Sequence, residues 1–595
     1  MKRDDLDLAG IGAAVDAAPA PVRRQPLYFG EGAETLFGWY HHRSDPPIRR
    51  DVVAVLCAPI GPEYTRSHRT VRHLADRLAR AGIPALRFDY HGSGDSSGSE
   101  NDPDRFGHWK RSIAAAVREA RRLSRCERVC LIGVRLGATL AALEAEDAGA
   151  ELLVLWNPVV KGRAYVRELQ AMAMTAKNAP ASNAGGLESA GFRISSETLD
   201  ELKHVDLSRT RLPSNARVLL VSRDDFTGDR SFATHLEVSG IEHDEVALPG
   251  WNGMMADHQF TVVPDESLAA IVGWALAHSF ARPAERRVTG DAPTRIELGG
   301  ASEELVRFGE NDHLFGIWTQ PTTQTGKPAI VMLNAGSIHH VGPHRLYVRL
   351  ARELAADGFP TLRIDHEGLG DSVPRELDRE NHPYPSHALD DLDAAMAFLR
   401  ERFGHERFIV LGLCSGAHTG FHAGMARERP IERLVLINPW YFYWSEGMSL
   451  DTSVNHYEKV AAYQRSMRDP ERWKKLLLGQ VRLGRLAKTA TDHLVKTLRG
   501  RWHDLKDVVR PGSGTRLSHD IRALATLGRK THIYVSDGEP AGAVLATEAK
   551  RSVRHATRAG LLTVERVAGG DHTFSQSAPR DDLVTRIRTA LKDTP

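Results

Sequence analysis

Cysteine is scarce in this chain, whose 595 residues contain only four, at positions 57, 126, 130 and 414. Their spacing fits neither a disulfide framework nor a set of zinc ligands. The sequence lacks any run of about 18 consecutive apolar residues, and residues 1–25 lack the apolar core of a signal peptide. These absences predict a reduced, cytoplasmic protein that is neither exported nor inserted into a membrane.

Three further classes of function find no support in charge or motifs. A net charge of +2 gives no overall attraction for nucleic acid. The glycine-rich segment GSGDSSG, residues 92–98, lacks the lysine of a phosphate-binding loop. The 28 histidines include no spaced ligand set of the H-E-x-x-H type. We therefore expect no nucleic-acid partner, no metal and no cofactor.

What the chain does contain is a duplication. Each half carries a hairpin pattern, a buried strand, an amphipathic helix with a glycine stop, and further strands alternating with helices. This alternation predicts parallel sheets with helices on both faces, which is the α/β class. The matching segments are LYFGEGAETLFGWY (27–40) and VRFGENDHLFGIW (306–318), VVAVLCAP (52–59) and AIVMLNAG (329–336), LRFDYHGSGDSSG (86–98) and LRIDHEGLGDSVP (362–374), and DHQF (257–260) and DHTF (571–574).

The segment FIVLGLCSGAHTG, residues 408–420, has the pattern of a buried strand that turns sharply into a helix at Cys414. Gly412 and Gly416 flank the cysteine in the form G-x-nucleophile-x-G, in which the glycines leave room for a strained backbone and a closely packed helix. The partial positive charge of a helix N-terminus favours a reactive thiolate. The alternative is a tight glycine turn with a buried structural cysteine.

The first half carries a corresponding segment, RVCLIGVRLGATL at residues 128–140, with Arg135 in the place of Cys414. A guanidinium stays protonated in proteins and cannot act as a nucleophile. We therefore expect the first half to be a catalytically inactive copy. Its Arg135 either binds the anionic group of a ligand or serves as a buried ion-pair partner.

Both halves resemble α/β-hydrolases in the elbow, the G-x-G-D-S turn, the insertion after a strand ending in N-P, and the late D-H-x-F. More narrowly, RSHRTVRHLADRLARAGIPALRFDYHGSGDS and NAGSIHHVGPHRLYVRLARELAADGFPTLRIDHEGLGDS resemble serine-aminopeptidase-like hydrolases of bacterial exopolysaccharide and exosortase systems. The resemblance implies two tandem domains, each a mostly parallel, doubly wound sheet with a helical cap. The expected divisions are a disordered N-terminus at 1–25, an inactive domain at 26–280, a linker at 281–303, and a catalytic domain at 304–595 whose cap spans about 441–530.

The chain order of nucleophile, acid and histidine in α/β-hydrolases implies a triad in the second half. Cys414 would attack an acyl carbon, and His572 in GGDHTFS would act as the base. Glu539 is the preferred acid because Asp225 occupies the aligned place in the first half. Asp537, two residues earlier, is the alternative acid. The degenerate site of the first half would consist of Arg135, Asp225 and His258.

The resemblance also implies an oxyanion hole made of backbone N–H groups. One donor would be Ser415, the residue after the nucleophile, and the other Gly336 or Ser337 in the loop NAGSIHH. In an alternative register, L-C-S-G-A, Ser415 itself would be the nucleophile. That register puts Leu413 where a small residue is needed and breaks the alignment with Arg135.

Residues 441–530 carry 18 Lys or Arg against 9 Asp or Glu, so basic charge is concentrated in the predicted cap. Apolar and basic residues alternate there at helical spacing, which is typical of amphipathic helices with a solvated face. The functional alternative is a basic lid facing an anionic partner: a carrier-protein or coenzyme A phosphate, an acidic glycan or an anionic lipid surface. An aromatic cluster that lines the pocket or packs in the core consists of Trp440, Tyr441, Phe442, Tyr443 and Trp444.

These features favour an enzyme that hydrolyses an ester or thioester of a small acyl substrate through an acyl-cysteine intermediate. Cysteine departs from the commoner serine, and acyl thioesters also suit acyl transfer, lactone opening and thioester exchange. The second hypothesis is therefore an acyltransferase that uses the same residues in polysaccharide or metabolite assembly. A third, of another class, is a binding or scaffold protein with two inactive halves. The sequence does not define the oligomeric state.

Overall fold

The computed structural model describes residues 21–43, 48–175, 186–226, 228–283, 292–323, 325–376, 379–445, 447–448 and 514–594. The chain divides into two compact units, Met1–Leu305 and Val306–Pro595. Most of the predicted disordered N-terminus, residues 1–20, and most of the predicted basic cap, residues 449–513, lie outside the described residues.

The N-terminal unit is built on strands with apolar side chains on both faces. All six residues of VVAVLC are buried, as required of a parallel strand covered by helices on each side. The strands are β1 (Val22–Phe29), β2 (Leu36–Arg43), β3 (Ile48–Arg50), β4 (Val52–Cys57), β5 (Ala85–Phe88), β6 (Arg128–Val134), β7 (Leu152–Trp156), β8 (Gly186–Ser189), β9 (Phe192–Ser195), β10 (Arg217–Arg223), β11 (Glu242–Leu248) and β12 (Ala281–Pro283).

Eight of these strands form one sheet in the order β1-β2-β5-β4-β6-β7-β10-β11. The first three are joined by antiparallel pairings, so β1 and β2 form the predicted hairpin. From β5 to β11 every pairing is parallel. The carboxyl ends of the parallel strands therefore lie at one edge of the sheet, where α/β folds place their ligands.

A second sheet repeats this arrangement. Its strands are β13 (Arg295–Glu297), β14 (Ala301–Phe308), β15 (Leu314–Pro321), β16 (Ala329–Leu333), β17 (Thr361–Asp365), β18 (Phe408–Leu413), β19 (Ile431–Ile437), β20 (Lys530–Ser536) and β21 (Leu562–Val567). Strand β13 and the first residues of β14 precede the boundary at Leu305, and the other strands belong to the C-terminal unit. All of these strands together form the sheet, in the order β13-β14-β15-β17-β16-β18-β19-β20-β21. From β14 onward this order matches the first sheet strand for strand. The predicted fold class, two α/β domains with mostly parallel sheets, is confirmed.

Helices cover both faces of each sheet and enclose two apolar layers per unit. Those of the N-terminal unit are α1 (Pro62–Arg80), α2 (Arg105–Ser124), α3 (Leu136–Ala148), α4 (Gly162–Thr175), α5 (Ser196–His204), α6 (Ser231–Val238), α7 (Trp251–Met254) and α8 (Asp265–Ala277). Those of the C-terminal unit are α9 (Leu346–Ala356), α10 (Ala388–Phe403), α11 (Ser415–Met425), α12 (Arg516–Thr526), α13 (Pro540–Glu548), α14 (Lys550–Arg558) and α15 (Ser577–Lys592).

Three segments have more regular structure than their sequence patterns indicated. Strand β1 begins at Val22, within the range predicted to be disordered, and the range predicted as a linker contains β12 and β13. Helix α12 lies in the predicted cap range, yet its Leu517, Ile521 and Leu524 are buried in the core of the C-terminal unit. None of the helices in the described part of the chain is long and apolar enough to cross a membrane.

Candidate active site

The turn between β18 and α11 carries Cys414 in a strained backbone conformation, with φ 57° and ψ −112°. Positive φ is uncommon for a residue with a side chain and persists only where neighbouring contacts hold it. The Cys414 N–H donates to the carbonyl of Ile437 (3.0 Å), and the Leu413 N–H donates to the hydroxyl of Tyr347 (2.9 Å). The other three cysteines are buried, whereas Cys414 is partly exposed. The geometry is that of a nucleophile elbow.

Two glycines allow the elbow to pack against its neighbours. A Cβ on Gly412 would lie 2.2 Å from the carbonyl carbon of Gly416. A Cβ on Gly416 would lie 2.7 Å from the carbonyl oxygen of Asn334 and 2.8 Å from that of Leu333. These neighbours are backbone atoms of regular elements, so they cannot move aside cheaply. The spacing G-x-C-x-G is therefore a steric requirement of this turn.

Replacing Gly416 with alanine is expected to lower the free energy of unfolding by about 2 kcal/mol or more, because the new methyl group overpacks a rigid contact. The matched control is Gly542→Ala in α13, where the nearest atom to a new Cβ is Val535 Cγ1 at 3.7 Å. That change should leave stability unchanged or raise it slightly, since alanine favours a helix. Urea unfolding of both variants measures the difference, and equal stabilities would contradict the close approach at the elbow.

His572 and Glu539, which follow Cys414 in the chain on separate loops, lie in contact with each other. The His572 Nδ1 and a Glu539 carboxylate oxygen are 3.0 Å apart, and 26% of the histidine side chain and 7% of the glutamate are exposed. Burial lowers the pKa of His572, but the negative charges of Cys414 and Glu539 and hydrogen bonds to both raise it well above its ordinary value. The imidazole is therefore held between a carboxylate and the elbow cysteine.

Asp537 occupies a different position from its neighbour two residues on. Its carboxylate accepts the Gly569 N–H at 2.9 Å and pairs with Arg566. It thus supports the loop that carries His572 without contacting the imidazole. Glu539 immediately precedes α13 and its side chain does not cap that helix, which leaves the carboxylate available to the histidine. Of the two candidate acids, the structure brings only Glu539 to His572.

Asn438, from the N-P pair after β19, joins the acid and histidine segments. Its side chain is fully buried and makes hydrogen bonds with both. The amide nitrogen donates to Ser536 Oγ (2.9 Å) and to the carbonyl of His572 (2.8 Å), while the amide oxygen accepts the Ser536 N–H (2.8 Å). Asparagine tolerates the left-handed φ of 43° found here. One residue therefore ties the end of β20 to the histidine loop.

The two candidates for the second oxyanion donor differ in availability. The Gly336 N–H donates to Ser415 Oγ at 2.9 Å, and that hydroxyl donates to the carbonyl of Asn334 at 3.4 Å. The Ser337 N–H has no hydrogen-bond partner among the described residues. The Ser415 N–H lies at the first helical position, where backbone donors lack helical partners. Ser415 and Ser337 thus offer the available N–H groups, and the Ser415 hydroxyl holds the loop against the elbow.

A buried aspartate at the end of β17, just before the G-x-G-D-S turn, anchors the same loop. Asp365 accepts hydrogen bonds from the Asn334 side-chain amide (2.8 Å), from the His340 N–H (2.7 Å) and from the Asp371 N–H (2.9 Å). The His340 ring nitrogen Nδ1 lies 2.7 Å from its second oxygen. The last residue of β17 therefore fixes the loop that follows β16, and it also holds the start of the G-D-S turn.

Aromatic rings pack around the cysteine and the histidine. Trp440 lies edge-on to the His572 ring, with centroids 4.4 Å apart. Trp444 stacks on Tyr384 at 4.4 Å with an interplanar angle of 10°, and Tyr441 packs edge-on against Trp444 at 5.4 Å. Three of the predicted pocket residues, Trp440, Tyr441 and Trp444, thus lie in one cluster beside the elbow.

Tyr443, the fourth predicted pocket residue, points elsewhere. Its hydroxyl donates to Asp520 at 2.6 Å, and its ring packs against Phe421 and the guanidinium of Arg516. Burial, followed by the hydrogen bond to Asp520, raises its pKa. Tyr443 therefore joins α11 to α12 on the core side of the elbow.

Two residues at this site were not predicted from the sequence. Tyr384 lies in the long loop between β17 and α10, 30 residues before Cys414 in the chain, and its hydroxyl oxygen is 3.9 Å from the sulfur. Its only sequence signal is the flanking prolines in H-P-Y-P. Asn438 did carry a signal, since N-P follows the corresponding strand in both halves, but the pattern did not reveal what the amide binds.

The corresponding elbow in the N-terminal unit has the same backbone conformation, with φ 53° and ψ −122° at Arg135. The guanidinium binds Glu63 at 2.9 Å and Glu168 at 2.7 Å, and it lies 5.5 Å from the ring centre of Tyr165. Burial lowers the pKa of Arg135, and the charges of Glu63 and Glu168 more than offset it. The structure shows the ion-pair arrangement of the two predicted for Arg135, with both carboxylates supplied by this chain.

The remaining degenerate residues do not form a pair. Asp225 receives hydrogen bonds from Arg223 (2.7 Å) and Asn252 (2.8 Å), which lower its pKa to about 2. Burial and the charge of Arg66 lower the pKa of His258 to about 4. The carboxylate that aligns with Glu539 is thus directed to an arginine, and the histidine stays neutral at neutral pH.

A parallel strand, a strained turn carrying a nucleophilic residue, a helix, and then an acid and a histidine on later loops define the α/β-hydrolase class. The chain belongs to the hydrolase family described as serine aminopeptidase, S33, whose model matches residues 64–210 and 326–477, together about half of the chain. One match falls in each unit. The family is named for serine, whereas the two elbows here carry Arg135 and Cys414.

Individual relatives are distant. The human protein ABHD12B is 23% identical over 163 residues, which are 27% of this chain and 42% of ABHD12B. Est1E from Butyrivibrio proteoclasticus, solved with ferulic acid, is 16% identical and covers 42% of this chain and 98% of its own, with a TM-score of 0.34. The Pyrococcus furiosus esterase Pf2001 is 14% identical and covers 49% and 92%, with a TM-score of 0.30. The chain therefore spans less than half the length of the curated relative it matches.

Proposed function

We propose that the C-terminal unit hydrolyses an ester or thioester bond of a small acyl substrate through a covalent intermediate on Cys414. The supporting observation is the place of His572, whose Nδ1 lies 3.0 Å from a Glu539 carboxylate oxygen and whose ring interacts with Cys414. Burial lowers its pKa, but the cysteine and glutamate charges raise it well above its ordinary value. A histidine that stays protonated beside a cysteine is the partner of a thiolate nucleophile.

In the acylation step the Cys414 thiolate attacks the carbonyl carbon of the substrate. A C–S bond forms, and the carbonyl π electrons move to the oxygen, which accepts hydrogen bonds from the Ser415 and Ser337 N–H groups. The intermediate then collapses, the bond to the leaving group breaks, and the leaving group takes the proton from His572 Nε2. The products of this half-reaction are the free alcohol or thiol and an acyl thioester on Cys414.

In the deacylation step His572 is neutral and acts as a general base. It takes a proton from water as the water oxygen attacks the thioester carbon. When this second intermediate collapses, the C–S bond breaks, the sulfur leaves as a thiolate and the carboxylic acid is released. Glu539 holds the ring through Nδ1, so that Nε2 is the nitrogen that exchanges protons, and its charge stabilises the imidazolium.

The same thioester can pass its acyl group to an alcohol or amine, which is the acyltransferase alternative. The two reactions differ only in the nucleophile that resolves the thioester, so a partition experiment with added hydroxylamine separates them. We propose hydrolysis because the chain belongs to a hydrolase family. The basic cap, with its anionic carrier or glycan partner, and the exopolysaccharide association stay predictions, since residues 449–513 lie outside the described part.

Replacing Glu539 with glutamine is expected to lower kcat/KM for p-nitrophenyl acetate by about 10²- to 10³-fold, because the amide neither stabilises the imidazolium nor holds the required tautomer. Asp537→Asn is the matched control. It keeps an acceptor for the Gly569 N–H and loses the ion pair with the exposed Arg566, so activity should stay within about twofold.

If Asp537→Asn lowered kcat/KM more than Glu539→Gln, the acid of the triad would be Asp537. Wild-type protein that turns over neither p-nitrophenyl acetate nor an acetyl thioester, at any short acyl length, would contradict the proposed function as a whole. The binding or scaffold hypothesis would then account for the duplicated fold.

A further inference from the structure

Tyr384 places a hydroxyl group beside the reacting sulfur, and the mechanism proposed above does not use it. Its hydroxyl oxygen lies 3.9 Å from Cys414 Sγ, and the two groups are hydrogen-bonded. The residue comes from the loop between β17 and α10, a different part of the chain from the elbow, the acid and the histidine. The contacts of Tyr384 itself therefore determine where its hydroxyl lies.

Several contacts hold the Tyr384 ring in place. One face stacks on Trp444 at 4.4 Å with an interplanar angle of 10°, and the ring packs edge-on against His418 at 5.4 Å. Pro383 and Pro385 flank it in the chain, which fixes two φ angles and restricts the backbone of Tyr384 to extended conformations. The hydroxyl is thus positioned before substrate arrives, as a catalytic group requires.

The Tyr384 hydroxyl remains a donor at every working pH. Burial raises its pKa, and the negative charge of Cys414 raises it further. Neutral tyrosine beside a thiolate can donate a hydrogen bond without losing its proton. His418, the other polar ring at this position, is neutral because burial and His422 lower its pKa to about 3.

We propose that Tyr384 is a catalytic residue of the Cys414 site, whose hydroxyl donates a hydrogen bond to the thiolate before attack and again when the thiolate leaves the acyl-enzyme. No proton is transferred. During acylation the sulfur loses its charge as the C–S bond forms, and during deacylation the charge returns as that bond breaks. The hydrogen bond therefore stabilises the resting thiolate and the departing thiolate. This inference rests on the proposed function, because it requires a thioester on Cys414.

The test compares wild type with Tyr384→Phe, which keeps the ring that stacks on Trp444 and removes only the hydroxyl. Two quantities are measured: the pH dependence of Cys414 alkylation by iodoacetamide, and the burst and steady-state phases of p-nitrophenyl acetate turnover. The matched control is Tyr64→Phe in the N-terminal unit, which removes a hydroxyl bonded to Asp89 at 2.6 Å. Thermal unfolding of each variant checks that the fold is kept.

In Tyr384→Phe we expect half-maximal alkylation at higher pH and a steady-state rate about tenfold lower, as for the loss of one hydrogen bond to a charged group. The burst should persist, because the acyl-enzyme still forms. Its hydrolysis should become slower, because the Cys414 thiolate is a poorer leaving group without the hydrogen bond. A merely structural role would lower the burst and the steady state together. Tyr64→Phe should match wild type in both measurements.

The pH profile also reflects the other titratable groups near Cys414 and Tyr384. Three of them interact with Cys414, namely His572, Tyr384 and Tyr347. Three further groups act on Tyr384 or His572, namely Glu539, Tyr441 and His418.

A wild-type profile and a wild-type deacylation rate in Tyr384→Phe would overturn the inference and leave Tyr384 as part of the pocket wall. Should Tyr384→Phe fail to fold, 3-fluorotyrosine in place of Tyr384 decides the point. Its hydroxyl is a stronger hydrogen-bond donor on a ring of nearly the same size, so half-maximal alkylation should move to lower pH, and an unchanged profile would contradict the inference. Failure of the proposed function gives a different result, since wild type itself would then show no burst.

Discussion

Turnover of p-nitrophenyl esters is expected to fall by at least about 10³-fold when Cys414 is replaced with alanine, because the covalent route is then closed. We expect no compensation from the N-terminal unit. Its elbow carries Arg135, paired with Glu63 and Glu168, and Asp225 there binds Arg223. The measurement is kcat/KM for p-nitrophenyl acetate.

The matched control is Cys126→Ala, which removes a buried thiol of the N-terminal unit and should leave turnover unchanged. Retained activity in Cys414→Ala would point to Ser415 as nucleophile. The structure argues against that outcome, because Ser415 Oγ is occupied by the Gly336 N–H and the carbonyl of Asn334.

The second large effect is expected for His572→Ala, which should reduce turnover by about 10²- to 10⁴-fold. The same change should alter the alkylation of Cys414 by iodoacetamide. In wild type the raised pKa of His572 keeps an imidazolium beside the sulfur through neutral pH, and the pair is lost only as the pH rises through that raised value. In the variant, alkylation should climb with pH toward about 8.5 like that of an ordinary thiol.

The matched control for this prediction is a variant of the N-terminal unit. His258→Ala removes the corresponding histidine, whose pKa burial and Arg66 lower to about 4, and should change neither turnover nor alkylation. Equal alkylation profiles in wild type and His572→Ala would show that the histidine does not sustain the thiolate, and the proposed mechanism would lose its base.

Much of the fold and of the candidate site could be predicted from the sequence, because the same motifs recur in the same order in both halves. The buried runs before each elbow predict parallel strands, and the glycine spacing predicts the turn at Cys414. The order of the motifs in the chain predicts an acid and a histidine after Cys414. Alignment with Asp225 favoured Glu539 over Asp537, and the contact of Glu539 with His572 has the arrangement that this preference requires.

The rest depended on contacts between segments far apart in the chain. The hydrogen bond between Tyr384 and Cys414 joins residues 30 positions apart, and the one between Asn438 and the carbonyl of His572 joins residues 134 positions apart. Local propensity and periodicity contain no information on such pairings, because they act within one element. The same holds for Gly336, whose N–H was an oxyanion candidate until the structure placed Ser415 Oγ against it.

The arginine elbow of the N-terminal unit keeps the backbone of a nucleophile elbow without a nucleophilic side chain. The backbone at Arg135 retains the strained turn, with φ 53° against 57° at Cys414. A charged side chain at such a position needs partners, since an unpaired buried charge is costly. Glu63 and Glu168 supply them from α1 and α4. The N-terminal elbow is thus a structural ion-pair site built on the geometry of a nucleophile.

The most direct test of the central claim is to identify the residue that carries the acyl group. Wild-type protein is mixed with excess p-nitrophenyl acetate, quenched in acid within the burst, and analysed by intact mass and by peptide mapping. The account predicts one acetyl group per chain, on Cys414, removed by hydroxylamine and absent from Cys414→Ala. An acetyl group on Ser415 or on another residue, with Cys414 unmodified during turnover, would contradict it.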